Sequence, residues 1–229
     1  HFPWAGRTPV PALEQPLAGY ERRGLPDGTQ VHLNGRAAIE VAFSAAERRV
    51  VLQQGESTFS VTPDASRPFV VQVGTYEVQA VGTEFNVRWS GETVEVLVTE
   101  GKVRLAPAGS DRTAPKPLLV AGDRAMVPLQ TGQAPLIGRA LPEDLERLRA
   151  WQPQLLDFSS APLRSVIDEF NRRNRTQIVL EDSASESLPI IASIRSDNFD
   201  ALIHLVTSAA GLRAERAGEY KIVLRRPSA

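Results

Sequence analysis

The chain has no cysteine among its 229 residues, which excludes disulfides, thiolate nucleophiles and Cys-built zinc or iron–sulfur sites. Redox compartment stays open, because a cysteine-free chain suits oxidising and reducing spaces alike. Histidine is almost as scarce: His1, His32 and His204 lie far apart with no HExxH-like spacing, which argues against a metal centre. Neither sign of charge is in excess, since 26 basic side chains face 27 acidic ones for a net charge of −1. Such a balance gives nucleic acid or an anionic membrane no global attraction, and no nucleic-acid partner is expected. No window approaches the roughly 18 uninterrupted apolar residues of a membrane span, and no secretory leader is visible. GxGxxG, Walker, GxSxG and EF-hand patterns are all missing, so no cofactor, metal or turnover catalysis is expected. Trp4, Trp89 and Trp151 read as too few and too dispersed for a stacking platform.

What is present is ordinary globular material, 42% hydrophobic and 23% charged, with ample apolar content for a core. At about 100–200 residues per domain, the length fits one large domain or two small ones, so local pattern has to place the boundary. Residues 1–19 hold Pro3, Pro9, Pro11 and Pro16 and read as an extended arm. From Tyr20 onward, short β-branched runs alternate with turn residues, the mark of an antiparallel all-β unit. The runs are 30–33, 38–43, 49–53, 57–61, 69–73, 76–81, 85–89, 93–98, 118–120 and 125–129, with turns at Pro26-Asp27-Gly28, Ser90-Gly91 and Gly122-Asp123. We place this unit at 20–138 and expect a sandwich or prism.

Beyond Gly138 the period becomes helical. Residues 139–150 read as a linking helix, and 151–229 as a small α+β module built of two strand–helix–strand units. In the first unit Ser159 or Ser160 caps a helix whose Leu163, Val166, Ile167 and Phe170 fall at i, i+3, i+4 and i+7. In the second, Asp197 or Asn198 caps a helix over 200–210 that stops at Gly211. Both helices are expected on one face of one sheet. Asp168-Glu169 beside Arg172-Arg173 reads as helix-surface pairing, and His204 as a partly buried structural histidine. Ten basic and ten acidic side chains cancel within 151–229. Contact through apolar faces or a strand edge is therefore expected, with Tyr220, Lys221, Ile222, Val223 and Leu224 as the candidate edge.

Several of these segments carry a resemblance. Tyr20-Glu21-Arg22, Leu25-Pro26-Asp27-Gly28-Thr29, Arg48-Arg49-Val50-Val51-Leu52, Arg67-Pro68-Phe69-Val70-Val71, Val81-Gly82-Thr83-Glu84-Phe85-Asn86-Val87 and Gly101-Lys102-Val103 follow one another as in the periplasmic part of FecR-type anti-sigma regulators, which residues 20–103 resemble. The 151–224 module resembles the STN-like domain of that family. The resemblance implies cell-surface signalling across the Gram-negative envelope. On it, the chain is the periplasmic portion of a single-pass inner-membrane protein. Its expected partners are the N-terminal signalling domain of a TonB-dependent outer-membrane transporter for iron siderophores, an ECF sigma factor held by a cytoplasmic segment not in this chain, and periplasmic and intramembrane proteases. Because the chain opens on His1 rather than Met, we read it as the outer piece of a longer protein. The alternative is an envelope carbohydrate- or protein-binding β-domain with no sigma-factor link.

Some members of the family cut themselves at a Gly-Thr bond in this motif, which makes Gly82 and Thr83 the candidate site of a single self-cleavage. The Thr hydroxyl attacks the preceding Gly carbonyl, an N→O acyl shift turns the amide into an ester, and water opens the ester. Strain in the turn assists the attack, since no dedicated base stands nearby in sequence.

Overall fold

The computed structural model describes residues 19–111, 115–129 and 133–227. Residues 1–18 of the proline-rich arm lie outside the described residues.

Eleven strands form one sheet: β1 (Glu21–Gly24), β2 (Gln30–Phe43), β3 (Arg48–Ser60), β4 (Phe69–Val73), β5 (Tyr76–Ala80), β6 (Glu84–Trp89), β7 (Thr93–Glu100), β8 (Lys102–Pro107), β9 (Leu118–Val120), β10 (Asp123–Pro128) and β11 (Leu136–Arg139). These segments are strands because Val, Ile, Phe and Thr alternate with polar residues, which suits a pleated surface buried on one side. The order runs β11-β10-β7-β6-β3-β4-β5-β8-β9, with β2 on β3 and β1 on β2. The sheet curls around an apolar cluster in which Val31, Leu52, Phe59, Phe69, Phe85, Val96 and Leu105 are fully buried.

The expected sandwich or prism is thus one curled sheet, and long strands make the difference. The runs 30–33 and 38–43 join into β2, and 49–53 with 57–61 into β3, across register shifts after Asn34 and Ala38. The bend lets β3 serve two neighbours on the side away from β2. Its first half pairs with β4, and its second half, from Gly55 to Ser60, pairs with β6. The β3–β4 pair is parallel, which corrects the all-antiparallel expectation for this unit. Strands β1, β8 and β11 were not among the expected runs.

A helix, α1 (Pro142–Ala150), follows and is tied back to the sheet. Asp144 Oδ2 accepts the Leu141 backbone N–H at 2.8 Å, and Arg147 pairs with Glu95 on β7. Arg124 on β10 adds a contact of 3.2 Å to the same Glu95.

The remaining chain runs β12 (Leu155–Pro162), α2 (Leu163–Arg173), β13 (Gln177–Leu180), a 3₁₀ turn, β14 (Pro189–Arg195), α3 (Phe199–Ala210), β15 (Arg213–Arg216) and β16 (Lys221–Arg225). Its strands split into two sheets rather than one: β12 with antiparallel β14, and β13-β16-β15. Helix α2 packs on both sheets, and Leu163, Val166, Ile167 and Phe170 are buried with Leu202, Val206, Ile190 and Ile222 in a second apolar cluster. A helix with an apolar stripe needs one sheet to cover it. Two half-sheets around two helices instead bury the stripes from both sides.

The caps differ in detail. Neither Ser159 nor Ser160 caps α2; Ser160 takes φ +62° at a bulge in β12, and Pro162 occupies the N-cap position. Asn198 caps α3 by accepting the Ala201 N–H at 3.1 Å, and Gly211 ends it in the left-handed region. His204 is exposed rather than partly buried, because it lies opposite the Leu202–Val206 stripe. Glu169 pairs with both Arg172 and Arg173, one helical turn away.

Candidate functional site

The Gly82–Thr83 bond lies in the connection from β5 to β6, beside Pro63 and Gly101. Gly82 takes φ +123°, and a Cβ there would stand 3.0–3.2 Å from Pro63, so the position demands glycine on conformation and on space. Thr83 is buried at 6% exposure, and its carbonyl accepts the Val61 N–H at 2.9 Å, which holds the peptide against the sheet. Gly101 faces it: a Cβ on Gly101 would come within 2.5 Å of Thr83 Cγ2 and 3.0 Å of the Gly82 carbonyl oxygen.

The Thr83 hydroxyl is buried without a hydrogen-bond partner. A buried hydroxyl normally finds one, so this is an exception that calls for a reason. Chemically, the arrangement is a hydroxyl untied by competing hydrogen bonds, next to a peptide bond whose glycine is held in a positive-φ turn. The neighbouring Glu84 carboxylate is engaged by Thr99, whose Oγ1 donates to the Glu84 carbonyl at 3.0 Å and to its Oε1 at 3.2 Å.

The second candidate set, Tyr220, Lys221, Ile222, Val223 and Leu224, is not an edge. β16 is the central strand of its sheet, parallel to β13 on one side and antiparallel to β15 on the other. Both its ladders are filled, and Ile222, Val223 and Leu224 are buried. Sequence order misled here: the last strand inserts between two earlier ones. Asn171 closes the outer side of β13, donating to the Ile178 carbonyl at 2.8 Å and accepting its N–H at 2.7 Å, as a neighbouring strand would. The outer side of β15, with exposed Arg213 and Arg216, is left as the open edge of that sheet.

A joint between the two apolar clusters escaped the sequence reading. Tyr20 forms a parallel β-bridge with Asn174: its N–H donates to the Arg173 carbonyl at 2.8 Å and its carbonyl accepts the Arg175 N–H at 3.0 Å. Tyr20 Oη is hydrogen-bonded to His32 Nδ1 at 2.6 Å, and Arg23 donates to Tyr220 Oη at 3.3 Å. Beside the joint opens a polar cleft of about 410 Å³ whose walls include Tyr20, Arg22, Asp197, Asp200 and Glu219. The partners come from opposite ends of the chain, so no local pattern could have paired them.

Known proteins bear on this geometry directly. Residues 19–104 match the FecR protein family model. The matched stretch begins at the Gly19–Tyr20 joint, contains the Gly82–Thr83 turn and ends in β8. Beyond it, the chain is similar over nearly its whole length to two crystal structures of a protein from Parabacteroides distasonis ATCC 8503 assigned as an anti-sigma factor. Identity is 27% and the TM-score 0.51 for both; the alignments cover 93% of this chain and 97% of that one in the first, and 94% and 98% in the second. No curated protein matches. The chain thus combines a FecR-like stretch with a likeness to an anti-sigma factor that extends over both of its parts. No helix among the described residues is long and apolar enough to cross a membrane.

Proposed function

We propose that the chain is the periplasmic, signal-receiving region of a transmembrane anti-sigma regulator. It binds the N-terminal signalling domain of a TonB-dependent outer-membrane transporter and relays iron-siderophore status to an ECF sigma factor. The observation that carries this reading is the FecR match over residues 19–104 within a likeness to an assigned anti-sigma factor that spans nearly the entire chain. The α+β part, 151–229, is the STN-like module and receives the partner. With β16 buried between its neighbours and β13 closed by Asn171, strand addition falls to the open side of β15. Periplasmic and intramembrane proteases then act on the regulator once the partner has changed its exposure.

The same reading includes one self-cleavage and no turnover. Thr83 Oγ attacks the Gly82 carbonyl carbon and its proton passes to the departing Thr83 nitrogen, giving a Gly82 ester of Thr83. Water then releases a Gly82 carboxylate and a new chain starting at Thr83. The unpartnered Thr83 hydroxyl and the positive-φ Gly82 support it.

Two measurements test the proposal. Calorimetry of the full chain against the signalling domains of transporters encoded beside it should give a saturable complex with one of them, and heat from none would sink the partner assignment. Mass spectrometry should find two fragments joining at Gly82–Thr83 in the wild type, one intact chain in Thr83→Ala, and fragments again in Thr83→Ser. A single intact mass in all three removes the cleavage.

A further inference from the structure

Trp89 closes β6 and Trp151 follows α1, far apart in the chain. Both line one cleft of about 470 Å³ between the curled sheet and the helix, together with Asn34, Glu56, Arg88 and Arg147. Two of the tryptophans that looked dispersed in sequence, Trp89 and Trp151, therefore share a site. We propose that this cleft binds a neutral saccharide, an inference independent of the sigma-factor reading.

Among the described residues eight buried side-chain atoms have no hydrogen-bond partner, and four of them belong to residues lining this cleft: Glu56 Oε1, Trp89 Nε1, Trp151 Nε1 and Arg147 Nε. Glu56 is 8% exposed, and its other oxygen accepts from Asn34 Nδ2 at 3.0 Å. Three of the four atoms only donate and one only accepts. A ligand that satisfies them must both accept and donate, and a hydroxyl group does both.

Charge and shape narrow the class. Arg88 stands directly opposite Glu56 in the β3–β6 ladder, and Arg147 is committed to Glu95, so the cleft offers no net charge to an ionic ligand. Pyranose rings combine hydroxyl edges with a C–H face, and two indoles supply the flat apolar surface such a face packs against. The volume falls within the range of small-molecule sites, about 300–1,000 Å³. An extended peptide fits less well. At Glu56 strand β3 is paired with β2 on one side and β6 on the other, and β6 is paired with β7 at Trp89, so no open backbone edge faces the cleft.

In the free protein the indole N–H groups are covered, so a sugar must reorient the rings to reach them, and tryptophan emission reports it. The full chain is titrated with maltotriose, cellotriose and chitotriose, each to its solubility limit, and with a neutral extended peptide. A saturable emission change is expected with at least one sugar and not with the peptide. Trp89→Phe, Trp151→Phe and Glu56→Gln each weaken it at least about tenfold, the scale of one lost buried hydrogen bond. Glu40→Gln, on an exposed part of β2, leaves it unchanged. Saturation-transfer NMR on the wild-type chain needs no variant and reads the same contact from the sugar protons. Absence of a saturable response to every sugar in both measurements overturns the proposal, as does a response that survives both tryptophan substitutions. A response to the peptide alone replaces it with a protein-binding cleft.

Discussion

Arg175, just past the end of α2, reaches Glu21 on β1: Nη1 donates to Oε2 at 2.5 Å, with the two side chains 4% and 11% exposed. The same guanidinium donates through Nη2 to the Gly35 carbonyl at 2.8 Å and the Ala37 carbonyl at 3.0 Å, and it sits 5.9 Å from the Tyr220 ring centroid. A planar fork with several donors suits this demand, which one lysine ammonium could not meet. The ion pair thus ties the start of the FecR-matched stretch to the α+β part.

Arg175→Ala should lower stability by about 3–5 kcal/mol, the usual cost of breaking a buried pair and leaving its partner uncompensated. Denaturant unfolding followed by tryptophan emission would measure it. Arg175→Lys should recover little of the loss, and full recovery by lysine would show that charge alone matters at this position.

Gly19 approaches the same joint more closely than any other side chain allows. A Cβ there would lie 2.6 Å from the Asn174 carbonyl carbon and 2.8 Å from the Arg175 nitrogen, at φ +127°. Gly19→Ala should cost about 1–3 kcal/mol and open the Tyr20–Asn174 bridge. Hydrogen exchange at the Tyr20 and Arg175 amides should accelerate, and unchanged protection would refute the tight approach.

Arg48 is 1% exposed and donates to Asp27 Oδ2 at 2.6 Å and to the carbonyls of Arg67 and Thr62 at 2.8 Å each. Burial by itself raises the Asp27 carboxyl, but hydrogen bonds from Thr29 and Arg48 outweigh it and hold the group below its ordinary value. A depressed carboxyl stabilises the fold fully above its unfolded pKa, near about 3.9, and loses that contribution as pH falls through the folded one. Asp27→Asn should therefore destabilise the protein at neutral pH, with the gap to wild type closing in strong acid. Thermal melts between neutral and acid pH would show it.

His32 is pushed below its ordinary value by burial and by Arg22 and Arg195, against the opposing pull of Asp197 and Glu84. Its Nδ1 pairs with Tyr20 Oη. Because its folded pKa lies below the unfolded one, its contribution is present above about 6.5 and falls as pH drops through the folded value. Acidification should loosen the Tyr20 joint, and His32→Gln should flatten that part of the pH–stability profile. An equal slope in both proteins would exclude His32 as its source.

In the α+β part the helices were legible, because the 3.6-residue stripe of α2 and the Asn198 and Gly211 ends of α3 are local signals, whereas the split into two sheets was not. The β-rich part was read as runs but not as a sheet. β1 and β11 are only four residues long and have no buried apolar residue, so alternation does not mark them, whereas β8 alternates Lys102-Val103-Arg104-Leu105 and was still not among the runs. The two runs joined in β3 show the same limit, since only a neighbour across the bend reveals that the chain continues.

The Gly82–Thr83 bond could be named from the chain because its signal is a contiguous motif. That its hydroxyl is buried without a partner came only from the packing of Gly101 and Pro63 around it. The sequence by itself determined most of the strand and helix segments and which exclusions follow from absent cysteine and scarce histidine, since propensity, periodicity and composition act within a few residues. The tertiary structure decided where those segments come together: β16 at a sheet centre, Trp89 and Trp151 on one cleft, Arg175 on Glu21. Such pairings join residues far apart in the chain, and their free energy exists only once the sheet has curled and the second cluster has packed.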